Sequence, residues 1–506
     1  MTRLAASLAL ALVSLSLTGA ALAEPRLSRE RCTFKPPRGD RVDCYVLSVP
    51  ENRAAPERRE VRLKVAVLKA KRAAVADPVV YLAGGPGDAP LVASSAGADA
   101  LQEADWWNET AAIRRRRDVI ILSQRGAGGS TPNLDCLDAR AGESKTRRRT
   151  VSDAQDREVL QRCRANFERR KIDLAMYTTP ALADDVADLA QAFSVSKINL
   201  YGVSYGTRWA LEVMRRHPEL VRAAVLDGLY PQQVNGEQHE ADIVRRTFEQ
   251  LYSDCAADST CRRRHPELRR QLEALVDAAE RKPIELVLTA EGSPYMVRLD
   301  GAKLLMVLLH MMREGEAAMV PEAVAEATRN ELRLLKLFGE DLELNEGGLV
   351  EQNAQQFDGL FNSIECRETW ALVDQAARRR LIEQAGVYGL TARQSKSPAF
   401  CPVWRVPAAP AAERQPVKSA VPTLLLSGAY DWLTPPAWGR EAARHLSQSR
   451  HVVFRAQGHG VVTQEPCAGR LRDEFFDDPD PKRALACRAD APPNFTDAYE
   501  RVKALP

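Results

Sequence analysis

The sequence predicts an α/β fold built on a mostly parallel sheet, with a large and mainly helical insertion. Three observations predict it. Apolar runs of strand length alternate with helix-patterned segments as far as residue 231, the pattern of parallel strands joined by crossover helices. From about Gln232 to Ala411 the patterning turns mostly helical, and strand character returns at Val421-Pro422-Thr423-Leu424-Leu425-Leu426-Ser427-Gly428. The run from Asn199 to Thr207 passes from an apolar strand through Gly202-Val203-Ser204-Tyr205-Gly206 straight into a helix-like segment.

The first element is not part of that fold. Arg3, the uncharged apolar run from Leu4 to Leu17 and Ala21-Leu22-Ala23 before Glu24 together read as a cleavable export signal over residues 1–23. The apolar run is shorter than the roughly twenty residues a membrane span needs, so no anchor is expected after cleavage. The expected location is periplasmic or extracellular.

Val61, Leu63, Val65 and Val67 alternate as in a half-buried strand, and residues 78–83 form a short apolar strand ending in Gly84-Gly85-Pro86-Gly87. Asp118 to Leu122 reads as a buried strand, followed by the loop Ser123-Gln124-Arg125-Gly126-Ala127-Gly128-Gly129-Ser130. That loop lacks the Gly-Lys-Ser/Thr ending of a phosphate loop, and Arg125 is expected to brace its neighbours. Leu182, Val186, Leu189, Ala190 and Phe193 mark an amphipathic helix leading into the strand Lys197 to Tyr201. A helix from Arg208 to Arg216 and a strand from Val221 to Leu226 follow the serine turn. Residues 302–313 and 320–338 show helical spacing inside the insertion, and the proline-rich stretch Pro402 to Pro416 leads back to the sheet. A last strand, Arg450 to Phe454, precedes Gly458-His459-Gly460. The expected organisation is a core in two parts, 24–231 and 412–506, around an inserted cap, 232–411.

Composition narrows the function classes. The 506 residues carry 71 Lys and Arg against 68 Asp and Glu, a net charge of +3, so arginine runs such as 114–117 are balanced and nucleic acid is not an expected partner. The ten cysteines fit an exported chain. They fall into five neighbouring pairs: Cys32 and Cys44, Cys136 and Cys163, Cys255 and Cys261, Cys366 and Cys401, Cys467 and Cys487. Sequence alone does not choose among the connectivities, but these five disulfides are expected because each closes a short loop within one region. Metal binding is disfavoured, since no Cys-x-x-Cys pair and no histidine cluster is present. No metal or organic cofactor is implied.

The chemistry centres on Ser204. A serine hydroxyl is a poor nucleophile until a histidine takes its proton and a carboxylate orients that histidine. A tight strand-to-helix turn needs small residues on both sides of its serine, and Gly202 and Gly206 supply them. In chain order the acid and base follow the serine. Asp431 ends the strand that closes at Gly428, and His459 follows the last strand between two glycines that free its backbone. His451 lies inside the strand pattern and is expected to be structural. The N–H of Tyr205 and a backbone N–H of Gly84 or Gly85 are the expected donors to an oxyanion.

Gly84-Gly85-Pro86-Gly87, Gln124-Arg125-Gly126-x-Gly-x-Ser130, Gly202-Val203-Ser204-Tyr205-Gly206-Thr207, Asp431-x-x-Thr434-Pro435 and Gly458-His459-Gly460 together resemble the secreted tripeptidyl and prolyl aminopeptidase branch of the α/β-hydrolases. Ala83 and Ser123 depart from that branch, which usually has His and Asp there; neither does bond chemistry, but they weaken any carry-over of strict proline specificity. The resemblance implies an exopeptidase in which Ser204 attacks a peptide carbonyl, His459 carries the proton and Asp431 holds the imidazole. The expected partner is a peptide with a free amino end, and the expected state is a monomer. Glu365 and Glu368, beside the Cys366 disulfide, are candidates to meet the substrate ammonium. Two other readings share the fold: a secreted carboxylesterase or lipase, and a non-catalytic binding protein.

Overall fold

The computed structural model describes residues 25–88, 90–91, 103–136, 153–290, 293–346, 359–395, 397–483 and 487–505. The expected export signal lies outside the described residues. The strands are β1 (Arg26–Glu30), β2 (Val42–Pro50), β3 (Glu60–Leu68), β4 (Val79–Leu82), β5 (Val119–Leu122), β6 (Ile198–Val203), β7 (Val221–Asp227), β8 (Ile284–Ala290), β9 (Ser293–Leu299), β10 (Thr423–Gly428) and β11 (Ser449–Phe454). Nine of them form one sheet in the order β1-β2-β3-β5-β4-β6-β7-β10-β11. The β1–β2, β2–β3 and β3–β5 pairs are antiparallel, and every pair from β5 to β11 is parallel.

The inner parallel strands are mostly apolar because both faces of the sheet are covered. One face packs Leu82, Ile120, Leu200 and Leu226 against Val186, Trp209 and Val213 from the flanking helices. The opposite face packs Val79, Tyr201, Val225 and Leu426 against Trp107, Val461 and Phe475. Burial of such side chains contributes about 1.5–3 kcal/mol each. Two early strands are absent from the sequence reading. β1 is the polar edge segment Arg-Leu-Ser-Arg-Glu, and β2 continues the antiparallel part of the sheet.

The chain between β7 and β10 builds a second core of its own, in which Phe248, Leu272, Leu305, Leu308, Met311 and Leu335 are buried together. Its elements among the described residues are helices apart from the β8–β9 hairpin. The helical run expected over 320–338 is two helices, Val320–Thr328 and Arg333–Glu346, separated by Asn330 at φ 60°. Chain order and packing are not the same division. Leu360, Ile364, Phe400 and Trp404 pack into the core of the sheet, while Phe495, Ala498 and Val502 near the C-terminus pack into the second core.

The five disulfides join the neighbouring pairs: Cys32–Cys44, Cys136–Cys163, Cys255–Cys261, Cys366–Cys401 and Cys467–Cys487. No helix among the described residues is long and apolar enough to cross a membrane.

Candidate active site

The C-terminal ends of β4, β6, β7, β10 and β11 converge on one edge of the sheet. Ser204 follows β6 directly, with φ 58° and ψ −126°, and the helix Tyr205–Arg216 starts at the next residue. Such a conformation is strained for a residue with a Cβ and persists only where the surroundings impose it. Here they do. A Cβ on Gly206 would lie 2.0 Å from the Leu82 carbonyl oxygen, and one on Gly202 would lie 2.6 Å from the Gly206 oxygen. The Ser204 N–H donates to the Asp227 carbonyl at 2.8 Å, fastening the turn to β7.

The first N–H groups of a helix have no partner within it, so Tyr205 presents a donor at this edge. The glycine loop after β4 lies alongside: a Cβ on Gly84 would be 3.2 Å from the Ser204 Cβ. Gly85 sits at φ 97°, a region few side chains tolerate. The buried Gln124 amide clamps this loop. Its Nε2 donates to the Gly84 carbonyl at 2.8 Å and the Ala83 carbonyl at 3.3 Å, and its Oε1 accepts the Gly87 N–H at 3.0 Å. Arg125, next in the chain, is wholly buried in a bidentate pair with Asp185 and also donates to the Glu51 and Met176 carbonyls. It is the brace the sequence suggests.

Asp431 and His459 meet across the same edge. His459 Nδ1 is 2.8 Å from Asp431 Oδ2. The Asp431 carboxylate is buried and accepts three more hydrogen bonds, from the N–H groups of Leu433 (3.0 Å) and Thr434 (2.8 Å) and from the Thr434 hydroxyl (2.6 Å). Full coordination of this kind fixes a carboxylate's direction, and through it the ring. A Cβ on Gly228 would lie 3.1 Å from His459 Cε1, so the imidazole stands over the residue next to Asp227, whose carbonyl holds Ser204. Among the described residues no hydrogen bond joins the Ser204 hydroxyl to His459; in ligand-free sites such bonds are often long and tighten on substrate binding.

Asp227 is the residue that sequence reasoning missed here. Its buried carboxylate accepts the N–H of Val461 at 3.1 Å and of Val462 at 2.9 Å, just beyond His459 in the chain. Burial raises its pKa to about 6, against the pull of those two bonds and of His459. A signal was present: an acid closing a mostly apolar strand, at the same edge as Ser204. His451 is placed differently from His459. It is half-buried on β11 with Nε2 3.0 Å from the Ser427 hydroxyl, and burial lowers its pKa to about 4.

The two glutamates named from the sequence part ways. Glu368 is engaged, accepting from the Thr179 N–H at 2.8 Å and the Thr179 hydroxyl at 2.6 Å; that hydroxyl in turn is 2.8 Å from the Tyr205 phenol. Glu365 has a buried Oε1 without a hydrogen-bond partner among the described residues. Burial and the nearby Glu237 push its pKa well above the usual carboxylate range, with Arg208 pulling the other way. A cavity of about 1090 Å³ lies between the helices Gly236–Ala257 and Pro436–Ala443; Asp431 and Glu368 line it, and Ser204 and His459 do not.

The sheet order and the turn at its edge are those of an α/β-hydrolase fold, and residues 77–269 match the family described as alpha/beta hydrolase fold. Further along, residues 387–487 match the family described as TAP-like protein, so the chain has an α/β-hydrolase fold whose C-terminal part is similar to that family. Relatives include a tripeptidyl aminopeptidase of Streptomyces lividans, 27% identical over 224 residues that cover 42% of this chain and 40% of the relative. Another is the serine protease Hip1 of Mycobacterium tuberculosis, 25% identical over 189 residues covering 35% of each. The match thus spans about two fifths of the length of the first of these relatives and about a third of the second. A solved proline iminopeptidase of Mycobacterium smegmatis overlaps 83% of this chain and 96% of its own at 14% identity and a TM-score of 0.35.

Proposed function

We propose that the chain is an exported serine peptidase that cleaves near the free amino end of peptides. The observation that carries the hydrolase reading is the strained Ser204 on the edge where Asp431 holds His459 at 2.8 Å. The names of the relatives, a tripeptidyl aminopeptidase and a serine protease, support a peptide substrate. The five disulfides support export.

In the proposed cycle Ser204 Oγ attacks the scissile carbonyl as His459 Nε2 takes its proton. Asp431, on Nδ1, keeps that nitrogen protonated and stabilises the imidazolium. The carbonyl oxygen becomes an oxyanion facing the N–H of Tyr205 and an N–H of the Gly84-Gly85 turn, each worth about 3 kcal/mol to the transition state. His459 then protonates the leaving amine. A water, deprotonated by His459, attacks the acyl group on Ser204 and regenerates the hydroxyl.

Glu365 is the better candidate of the two glutamates for the substrate ammonium. Its unpartnered buried oxygen gains a charge-assisted bond, and an arriving cation favours its ionised form. Glu365→Gln should raise KM for free-amine peptides far more than for N-blocked ones, and equal effects on both would reject this role. Fluorophosphonate labelling of Ser204, followed by peptide anilides with and without a free amino end beside short acyl esters, tests the whole reading. Turnover of esters alone would reject the peptidase. Absence of labelling in the folded protein would reject the hydrolase.

A further inference from the structure

The main chain of His459 is held by the segment inserted between β7 and β10. The helix Gly301–Arg313 ends at this site, and its terminal Arg313 carbonyl accepts the His459 N–H at 2.9 Å. The approach is close enough to exclude side chains. A Cβ on Gly458 would lie 2.1 Å from the Arg313 oxygen, and one on Gly428, at the end of β10, would lie 1.9 Å from the Gly458 oxygen. Gly458 therefore serves close packing of three backbones, while Gly460, at φ 76°, supplies the turn.

One side chain closes this junction. Gln464 Nε2 donates to the Arg313 carbonyl at 2.7 Å and to the His459 carbonyl at 2.7 Å, and its Oε1 accepts the Gly458 N–H at 2.9 Å. It thus bonds the residue before the imidazole, the residue that bears it, and the inserted helix at once. The Arg313 carbonyl accepts from both Gln464 and His459. A helix C-terminus leaves its last carbonyls without intrahelical partners, so this acceptor is one the fold must satisfy somewhere.

We propose that Gln464 is a positioning residue for His459, and that by fastening the His459 turn to the end of the helix Gly301–Arg313 it makes the inserted segment part of the catalytic support. This rests on the hydrolase reading of Ser204 and His459. Positional errors near 1 Å at a reacting group cost orders of magnitude in rate, so a three-point clamp on the base's backbone acts on kcat. Substrate contacts elsewhere in the insertion then reach the base through main-chain bonds. Among the described residues Asp431, Asp227 and Asp88 of the glycine loop act on the ring, and Arg313 in turn faces Asp88.

The first step of the test is fluorophosphonate labelling of the wild type and of His459→Ala. A wild type that is folded and unlabelled overturns the hydrolase reading itself, which distinguishes that failure from a failure of the clamp. Gln464→Met, which keeps the volume and removes all three bonds, should lower kcat per labelled site by about tenfold or more with KM within about twofold. Gln464→Glu keeps the acceptor for Gly458 but sets a carboxylate against two carbonyl oxygens. It should lose rate similarly and move the acid limb of kcat/KM to higher pH, because the added negative charge favours the imidazolium. An unchanged kcat per labelled site in either folded variant, or a loss confined to KM, overturns the proposal. Hydrogen exchange on the wild type keeps it testable without variants. Phosphonylation of Ser204 should protect residues 458–464 and 301–313 together, and protection of 458–464 alone overturns the coupling.

Discussion

Around Ser204 the support comes from neighbouring sheet strands and the helix that follows, whereas around His459 part of it comes from the inserted segment. The serine turn is set by glycines packed against β4 and its own helix, and by one bond to β7. The histidine turn is set by the Arg313 carbonyl, the Gln464 side chain and the Asp227 carboxylate, from three separate parts of the chain. Ser204 is thus held by the sheet. His459 is held by the sheet and the insertion together, and under the proposed mechanism changes in the insertion reach catalysis without touching the nucleophile.

Ser204→Ala should remove hydrolysis by about 10⁶ in kcat with the thermal midpoint little changed, measured by anilide turnover and calorimetry. Residual activity above about one percent would break the assignment of the sheet edge as the site. Asp431→Asn should cost about 10⁴ in kcat, because the imidazole loses the acceptor that fixes its tautomer. An effect on KM alone would mean that Asp431 does not orient the base.

Gln124→Leu frees the glycine loop of its three bonds and should lower kcat about 10- to 100-fold with KM nearly constant. Compared with Gln464→Met it weighs the two sides of the site directly. A Gln124→Leu enzyme of normal kcat would show that the loop is held by its own backbone alone.

The last effect is on stability and not on rate. Asp227 has a folded pKa of about 6 against a reference of 3.8, so the folded state binds the proton more tightly than the unfolded one. Its contribution is therefore fully present below about pH 4 and is lost as pH rises through 6, by about 3 kcal/mol at most. Thermal midpoints at pH 4 to 7 should fall less steeply in Asp227→Asn than in the wild type. Parallel curves would remove Asp227 from the groups that set the pH response of the base side.

Legibility in the sequence divides along the same line. Strands β4, β6, β7 and β10 are legible because burial on both faces makes them continuous apolar runs, and Ser204, Asp431 and His459 are legible because each comes after such a run beside glycine. β1 is not, since an exposed edge strand of Arg, Ser and Glu carries no pattern. Gln464 and the Arg313 carbonyl are not, because a main-chain acceptor far along the chain has no residue type to betray it. Glu365 and Glu368 look equivalent three residues apart, and only Thr179, arriving from another helix, distinguishes them.

The pairing of β10 with β7 has a consequence in time as well as in space. A ribosome delivers Ser204 first, and Asp431 and His459 only once the whole insertion has been made. Under the proposed mechanism a partly synthesised chain therefore carries its serine without acid or base, and the growing polypeptide remains chemically idle until its last strands dock.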